Sequence, residues 1–301
     1  MIPEFPNFKK LELSDKEDVE KFTSKFPPYS DFDFVSMWSW DIKGEMRISQ
    51  LYTNLVVRFT DYLTGEPFYS FLGNNKVNET AEILLNSAVE EEIKPRLCLV
   101  PNDSIEGIML NKFKVEEDLD NFDYIYDLNE ISRYTGNQFV KKRNKIVHFL
   151  KLLPGIKVEI LNINNKSIKD NILKLDEFWL KNKTQKDANF KIKNEFLATN
   201  RFFESAIDNT FGVGIFVNKK LIGYSILGLV ANNYAISHFC KADTQFIGIY
   251  DFLMRETAKI LVDKGYLLLN YEQDLGLPGL RENKKSFMSK YLRKFTVGFT
   301  H

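Results

Sequence analysis

The chain has 301 residues, with 41 Lys or Arg balanced by 41 Asp or Glu, so its formal net charge at pH 7 is zero. This length suffices for one large domain or two ordinary ones, while the balanced charge excludes a whole-protein field that attracts nucleic acid. The two cysteines do not form a C-x-x-C pair and no apolar run is long enough to cross a bilayer, so we expect reduced thiols and a cytoplasmic location.

The first half of the chain predicts strands, a helix and a further strand. Ser14, with Glu17 three residues later, forms a capping box and places the start of an early helix. Residues 48–60 and 66–73 are rich in β-branched and aromatic side chains and predict a hairpin. A helix over about 78–91 and a short strand complete this half.

The second half predicts a strand, two helices, three antiparallel strands, a helix, a strand, a helix and a strand. Apolar residues recur at helical spacing from Ile249 to Leu261, and Gly265 ends that helix. This is the element order of the GNAT acyltransferase fold, and the first half repeats it in outline. We therefore predict an α+β protein with two GNAT-like domains in tandem, 1–130 and 131–301, built of mixed, mostly antiparallel sheets flanked by helices. Exchange of helices across this boundary is left open.

A loop after the third antiparallel strand is a candidate cofactor site. In GNAT proteins this loop follows the pattern Q/R-x-x-G-x-G/A, and its backbone N–H groups bind the pyrophosphate of an acyl carrier. Gln245, Gly248 and Ile249 are therefore candidates for binding coenzyme A or acetyl-CoA. Tyr250 replaces the last small residue and can crowd the pyrophosphate, and a glycine-initiated helix explains the same pattern without a ligand.

The segment NQFVKKRNKIVHFLK predicts a helix with one apolar face, and Arg143 falls in the middle of that face. A buried Arg needs a partner, because an unpaired buried charge is very costly. Glu272 and Asp274 are candidate partners, and an Arg that reaches the helix edge or binds a ligand is the alternative. Asn144 beside it is a further candidate for substrate binding. The lysines of this helix, predicted to form a solvated face or a phosphate-contact patch, are Lys141, Lys142 and Lys145.

The stretch NYEQDLGLPGLRENKKS begins at Asn270, where an apolar strand ends in Glu272 and Asp274. These two carboxylates are the candidate catalytic residues, because ligands of open α/β arrangements bind where strands end and a carboxylate can accept a proton from a nucleophile. Asn270 shares a strand face with Glu272. Arg281 and Lys285 share a helix face near a helix N-terminus, where cations are unfavourable unless an anion is present. They predict a bound phosphate or carboxylate, unless one of the two acidic residues supplies the anion internally.

His238 lies on a predicted strand among apolar residues. It is either a core or edge histidine or a group that contacts substrate, and we keep it as a substrate-binding candidate. The sequence has no Ser-His-Asp set, no Walker loop and no metal-ligand spacing, so we predict no metal site.

Three stretches together resemble a bacterial protein family. They are YSDFDFVSMWSWD, DYIYDLNEISRYTGNQFVKKRNKIVHF and NYEQDLGLPGLRENKKS. The family is related to the C-terminal catalytic domain of phosphatidylglycerol lysyltransferase, and the resemblance covers nearly the whole chain. It implies two GNAT-like domains in tandem. In the lysyltransferases such a domain moves an aminoacyl group from tRNA to a lipid headgroup, and the related Fem-type transferases move it to peptidoglycan precursors.

This resemblance makes aminoacyl transfer from aminoacyl-tRNA to a lipid headgroup, or to another amine or hydroxyl, the leading prediction. Such a transfer requires no cofactor. Acetyl-CoA-dependent N-acetyl transfer and a catalytically silent binding module are the alternatives. The expected partners are aminoacyl-tRNA and a membrane lipid surface reached without a transmembrane segment, and the oligomeric state is left open. The neutral total charge departs from the basic face that is typical of tRNA binders.

Overall fold

The computed structural model describes residues 1–61, 64–186, 194–205, 207–230 and 233–300. The chain forms two compact units. The first unit comprises residues 1–124, 273–286 and 290–301, and the second comprises residues 125–272 and 287–289. Most of the chain after residue 272 therefore packs with the first unit. The division into a domain of residues 1–130 and a domain of residues 131–301 remains a prediction.

The regular elements of the described residues are strands and helices that occur in groups along the chain. The strands are β1 (Lys9–Lys10), β2 (Arg47–Leu51), β3 (Asn54–Thr60), β4 (Pro67–Leu72), β5 (Leu97–Pro101), β6 (Phe113–Glu117), β7 (Asp123–Asp127), β8 (Lys157–Leu161), β9 (Thr210–Val217), β10 (Lys220–Leu229), β11 (Tyr234–Ala242), β12 (Leu268–Asn270), β13 (Lys290–Leu292) and β14 (Lys294–Phe299). The α-helices are α1 (Lys16–Thr23), α2 (Phe34–Trp40), α3 (Val77–Glu90), α4 (Leu128–Arg133), α5 (Val140–Leu152), α6 (Lys166–Lys186), α7 (Asn194–Phe203), α8 (Ile249–Asp263) and α9 (Pro278–Lys285).

The first unit contains two antiparallel sheets. One has the strand order β1-β2-β3-β4 and the other has the order β5-β14-β6. The predicted hairpin is present as three consecutive strands, with a first turn at Tyr52, whose φ is 56°. Helix α3 buries Ala81, Leu84 and Leu85 in a core that also includes Phe71 of β4.

The capping box at the start of the first helix differs from the predicted one. Glu12 and Asp15 form it, instead of Ser14 and Glu17, and the Glu12 N–H donates to Asp15 Oδ2 over 3.0 Å. A short 3-10 turn, Leu13–Asp15, therefore precedes α1. Two acidic residues three positions apart satisfy the same backbone donors as a Ser/Glu pair, which explains the shift in the helix start.

A buried ion network holds the first unit together around Lys294, whose side chain is inaccessible to solvent. Its ammonium donates to the carboxylates of Asp31 and Asp123, the latter over 2.7 Å, and lies 3.3 Å from Ser30 Oγ. Gln273 Nε2 adds a 3.1 Å hydrogen bond to Asp31. Burial raises the pKa of Asp31, against the lowering effect of Lys294. The network thus ties together the N-terminal, middle and C-terminal parts of the chain.

The second unit has one sheet with the strand order β7-β12-β11-β10-β9-β8. All neighbours in it are antiparallel except β11 and β12, which are parallel. The three-stranded meander β9-β10-β11, helix α8 and then β12 follow the predicted GNAT-like order. The prediction of an α+β protein with mixed, mostly antiparallel sheets flanked by helices is confirmed. None of the helices in the described ranges has the length and apolar character of a membrane-spanning segment.

Charge is divided unequally between the units, although the whole chain is neutral. The first unit has 19 Lys or Arg and 26 Asp or Glu, which gives a net charge of −7. The second has 22 Lys or Arg and 15 Asp or Glu, which gives +7. A field that attracts polyanions is therefore a property of the second unit alone.

Replacement of Lys294 by Met tests the buried network. The change leaves Asp31 and Asp123 buried without their shared cation, so we expect the free energy of unfolding to fall by about 3–5 kcal/mol. Urea unfolding at pH 7 measures it. The control is Lys290→Met at an exposed position, which we expect to change stability little. Equal stability of the two variants would contradict a structural role for this network.

Candidate functional site

Strands β11 and β12 pair over only three residues and then part. The parallel pairs run from Tyr234 with Leu268 to Ile236 with Asn270. Strand β11 continues to Ala242, whereas β12 stops at Asn270. The chain leaves β12 through Glu272, whose φ is 55°. A non-glycine residue in this left-handed region is uncommon and often marks a functional site. We call residues 237–242 and 271–272 the parting of the strands.

A β-bulge in β11 sets the position of His238. Ile226 of β10 pairs with Phe239 and the next residue, Leu227, pairs with Ser237, so His238 is the extra residue. Bulges of this kind re-aim a side chain and are frequent beside active sites. Gly228 makes room for the ring, because a Cβ at this position would lie 2.5 Å from His238 Nε2.

His238 and Glu272 meet at the parting of the strands. His238 Nδ1 lies 3.5 Å from Glu272 Oε1, and their side chains are 2 % and 18 % exposed. Asn270 is fully buried, and its Oδ1 accepts the N–H of Glu272 over 2.8 Å. Asn270 therefore holds the backbone turn that presents the Glu272 carboxylate, while the carboxylate itself remains partly accessible. Three of the predicted site residues are together here.

Asp274 and Arg281 form a closed ion pair in the first unit. Asp274 is fully buried, and its two oxygens accept bonds from Arg281 Nε (2.9 Å), Arg281 Nη2 (2.7 Å), Tyr124 Oη (2.5 Å) and the Gly276 N–H (2.9 Å). Burial alone would raise the pKa of Asp274, but the hydrogen bonds from Arg281 and Tyr124 outweigh it and lower the pKa. Arg281 also pairs with Asp120 at 2.6 Å. Internal carboxylates thus supply the anion that Arg281 needs.

The lysines next to Arg281 in α9 differ in their surroundings. Lys284 is buried and donates to the Gln273 carbonyl over 2.8 Å. Lys285 is exposed. The predicted substrate-binding roles of Lys285 and Arg281, and the predicted catalytic role of Asp274, remain predictions.

Arg143 binds backbone carbonyl groups. Its Nη1 donates to the carbonyl oxygens of Tyr134 (2.5 Å) and Gly136 (2.7 Å). These carbonyls follow the C-terminal end of α4, where a cation is favourable for the helix dipole. The structure therefore shows carbonyl partners for Arg143, and Asn144 is exposed on the same helix. Whether either residue contacts substrate remains a prediction.

Lys142 is the buried cation of α5, so the prediction that it belongs to a solvated face is wrong. Its ammonium lies 2.9 Å from Asp251 Oδ1 and 3.4 Å from the centroid of the Phe287 ring. Helix α5 turns Lys142, Ile146 and Phe149 inward, which is one residue out of phase with the predicted face. Burial lowers the pKa of Lys142, partly offset by Asp251.

The candidate cofactor loop packs closely on α5. A Cβ at Gly248, whose φ is 93°, would lie 2.5 Å from the Lys145 carbonyl oxygen. Glycine is therefore required here by packing as well as by backbone conformation. Ile249 is buried in the core and Gln245 is exposed. Tyr250 reaches the end of β11, where its Oη accepts the Ala242 N–H over 3.1 Å.

A second polar cluster in this unit was not predicted from the sequence. Asp176 of α6 accepts a 2.5 Å hydrogen bond from Tyr224 of β10, and Lys241 of β11 pairs with Glu195 of α7. Lys241 also lies 4.2 Å from the centroid of the Trp179 ring. Burial raises the pKa of Asp176 to about 6, against the lowering effect of Lys241. The sequence signal for this cluster was Lys241 within the predicted strand β11, because a buried lysine needs a partner.

Comparison with known proteins supports a relationship along most of the chain. The family model described as phosphatidylglycerol lysyltransferase, C-terminal, matches residues 72–298. A protein of unknown function from Bacteroides thetaiotaomicron has a similar structure, with 24 % identity, full coverage of both chains and a TM-score of 0.81. The structure of L-PGS from Bacillus licheniformis is similar at 10 % identity, over 99 % of this chain and 93 % of that one, with a TM-score of 0.66. No curated protein matches the sequence.

The raised pKa of Asp176 makes part of the stability depend on pH. The protonated carboxyl stabilises the folded state below about pH 4, and this contribution, roughly 3 kcal/mol, is lost as the pH rises through about 6. Asp176→Asn keeps an uncharged side chain, so the variant should gain stability relative to the native protein as the pH increases over this range. Urea unfolding from pH 4 to pH 7 measures the difference. Asp170→Asn at an exposed position of α6 is the control, and a pH-independent difference for Asp176→Asn would contradict the account.

Proposed function

The chain belongs to the phosphatidylglycerol lysyltransferase C-terminal family, and we propose that it transfers an aminoacyl group from aminoacyl-tRNA to a lipid headgroup or another amine or hydroxyl. The family relationship supports acyl transfer in general. The finer assignment rests on one observation above all, the pairing of His238 with a partly accessible Glu272 at the parting of β11 and β12.

Glu272 is the general base in this proposal. It accepts the proton of the attacking hydroxyl or amine while the acceptor's oxygen or nitrogen forms a bond to the ester carbonyl carbon. The ester bond to the tRNA ribose then breaks, and the proton passes to the leaving ribose oxygen. His238 is too buried to meet a large substrate and acts as a positioning residue that fixes the carboxylate. Backbone N–H groups at the start of α8, near Gly248, stabilise the oxyanion.

The basic second unit supports tRNA as the donor. A net charge of +7 on the unit that carries Glu272 favours contact with a polyanionic substrate, and the neutral total charge no longer argues against it. Lys141 and Lys145, both exposed on α5, supply phosphate contacts next to the Gly248 loop. The acceptor lipid would be met at a membrane surface.

The position of Tyr250 favours aminoacyl-tRNA over acetyl-CoA as the donor. Its hydroxyl caps the Ala242 N–H at the end of β11, a backbone donor that an extended ligand could otherwise use on a free strand edge. The silent-module alternative requires that the acidic and basic candidates neutralise one another. Asp274 and Arg281 do so, whereas Glu272 has His238 as a neighbour and keeps solvent access.

Replacement of Glu272 by Gln tests this mechanism. Because a general base contributes roughly 10²–10⁴ in rate, we expect at least about a hundredfold loss in turnover of labelled aminoacyl-tRNA with lipid vesicles or a small amine acceptor. His238→Gln should reduce turnover less. The matched control is Glu282→Gln at an exposed position of α9, which should leave turnover unchanged. Full turnover by Glu272→Gln would remove Glu272 from the mechanism.

A further inference from the structure

Helix α5 carries a row of apolar side chains on its exposed surface. Val140, Val147 and Leu150 are 38 %, 51 % and 40 % exposed, and their spacing of seven and three residues places them along one side of the helix. We call these three residues the apolar stripe. Leu152, the last residue of α5, is 57 % exposed at the end of the same helix. The side chains that α5 turns inward are different ones, so the stripe is not part of the core.

The segment around the apolar stripe is strongly basic. Residues 131–158 contain seven Lys or Arg and no Asp or Glu. Lys151 follows Leu150 directly and is exposed, as is Lys157 just beyond the helix. An apolar row bordered by cations is typical of a helix that lies on an anionic membrane. Its apolar groups enter the boundary between headgroups and acyl chains, while its lysines contact lipid phosphates.

A second copy of α5 and an RNA both fit the apolar stripe less well than a membrane does. Two copies of this helix would bring cations against cations, which opposes their association. An RNA would pair with the lysines but would offer phosphates, which are charged, to the apolar side chains. Lys141 and Lys145 project from another side of α5, since helical spacing turns each by roughly 100° or more from the stripe. Their phosphate contacts with a donor are therefore compatible with a membrane on the stripe.

We propose that the apolar stripe of α5 docks the second unit on the surface of an anionic membrane. Val140, Val147 and Leu150 enter the bilayer boundary, and Lys151 contacts lipid phosphates. This inference rests on the proposed function, because an enzyme with a lipid acceptor must reach a bilayer, and it specifies the surface that does so. The attachment is peripheral and reversible, since three partly exposed side chains bury little apolar area.

Flotation of the intact chain with lipid vesicles tests this docking without requiring turnover. We expect binding to vesicles that contain phosphatidylglycerol, because their surface is anionic, and none that is measurable to vesicles of phosphatidylcholine alone. Added salt should weaken the binding, since it screens the lysines from the lipid phosphates. Equal binding to both kinds of vesicle, or binding to neither, would overturn the proposal.

Variants assign the binding to the stripe. The double variant Val147→Ser/Leu150→Ser should bind phosphatidylglycerol vesicles about tenfold more weakly, because the burial of roughly two methylene groups is lost. Val89→Ser, at an exposed position of α3, is its control. Lys151→Gln should weaken binding about fivefold, whereas Lys174→Gln, at an exposed position of α6, should not. Unchanged binding by the double variant would remove the stripe from the membrane contact.

The same double variant distinguishes a membrane from other occupants of the stripe. Its sedimentation coefficient and its affinity for tRNA should equal those of the native chain. A change in sedimentation would assign the stripe to a second copy, and weaker tRNA binding would assign it to RNA. Either result would reject the proposal.

The outcome is separable from that of the proposed function. If the stripe binds vesicles but the protein does not consume aminoacyl-tRNA, the docking surface stands and the donor assignment fails. If aminoacyl-tRNA is consumed with a water-soluble amine acceptor and no vesicle is bound, the transfer stands and the docking surface is rejected.

Discussion

The early separation of β11 from β12 is the constraint on which the candidate site depends. Two parallel strands that stayed paired would bury their edge groups against each other, and no side chain could enter between them. Pairing instead stops at Asn270, whose side chain holds the following turn through the Glu272 N–H. The bulge at His238 on the opposite strand completes the arrangement. A buried imidazole and a partly accessible carboxylate therefore meet at a fixed opening in the sheet.

The stretch that follows β12 combines two physical roles within five residues. Glu272 belongs to the second unit and keeps solvent access, whereas Asp274 belongs to the first and is surrounded by four donors. These hydrogen bonds stabilise the ionised form of Asp274 and lower its pKa. Lys294 and its two buried aspartates are a similar device elsewhere in the first unit. Asp274 and Lys294 thus belong to polar clusters that hold the fold, whereas Glu272 keeps access to solvent.

The sequence predicted the element order and fold class well, because hydrophobic periodicity and turn residues report local structure directly. The sequence also predicted that Asn270 and Glu272 lie together at the end of one strand. The prediction of the buried cation in α5 was wrong because it depended on the phase of the helix. The inward face lies one residue away from the predicted one, so Lys142 is buried instead of Arg143. Partners distant in the chain, such as Asp176 with Tyr224, leave no local pattern. The opposite charges of the two units were accessible from the sequence, because residues 1–130 already have 13 Lys or Arg against 26 Asp or Glu, and residues 131–301 have 28 against 15.

The most direct test of the central claim, that the second unit binds an aminoacyl-tRNA donor, is a thermal-shift measurement on the intact chain. A ligand that binds only the folded state raises the melting temperature. We expect a rise with aminoacyl-tRNA that diminishes as salt increases, and none with coenzyme A or acetyl-CoA. A rise with acetyl-CoA and none with charged or uncharged tRNA would contradict aminoacyl-tRNA as the donor and favour an acyl-CoA.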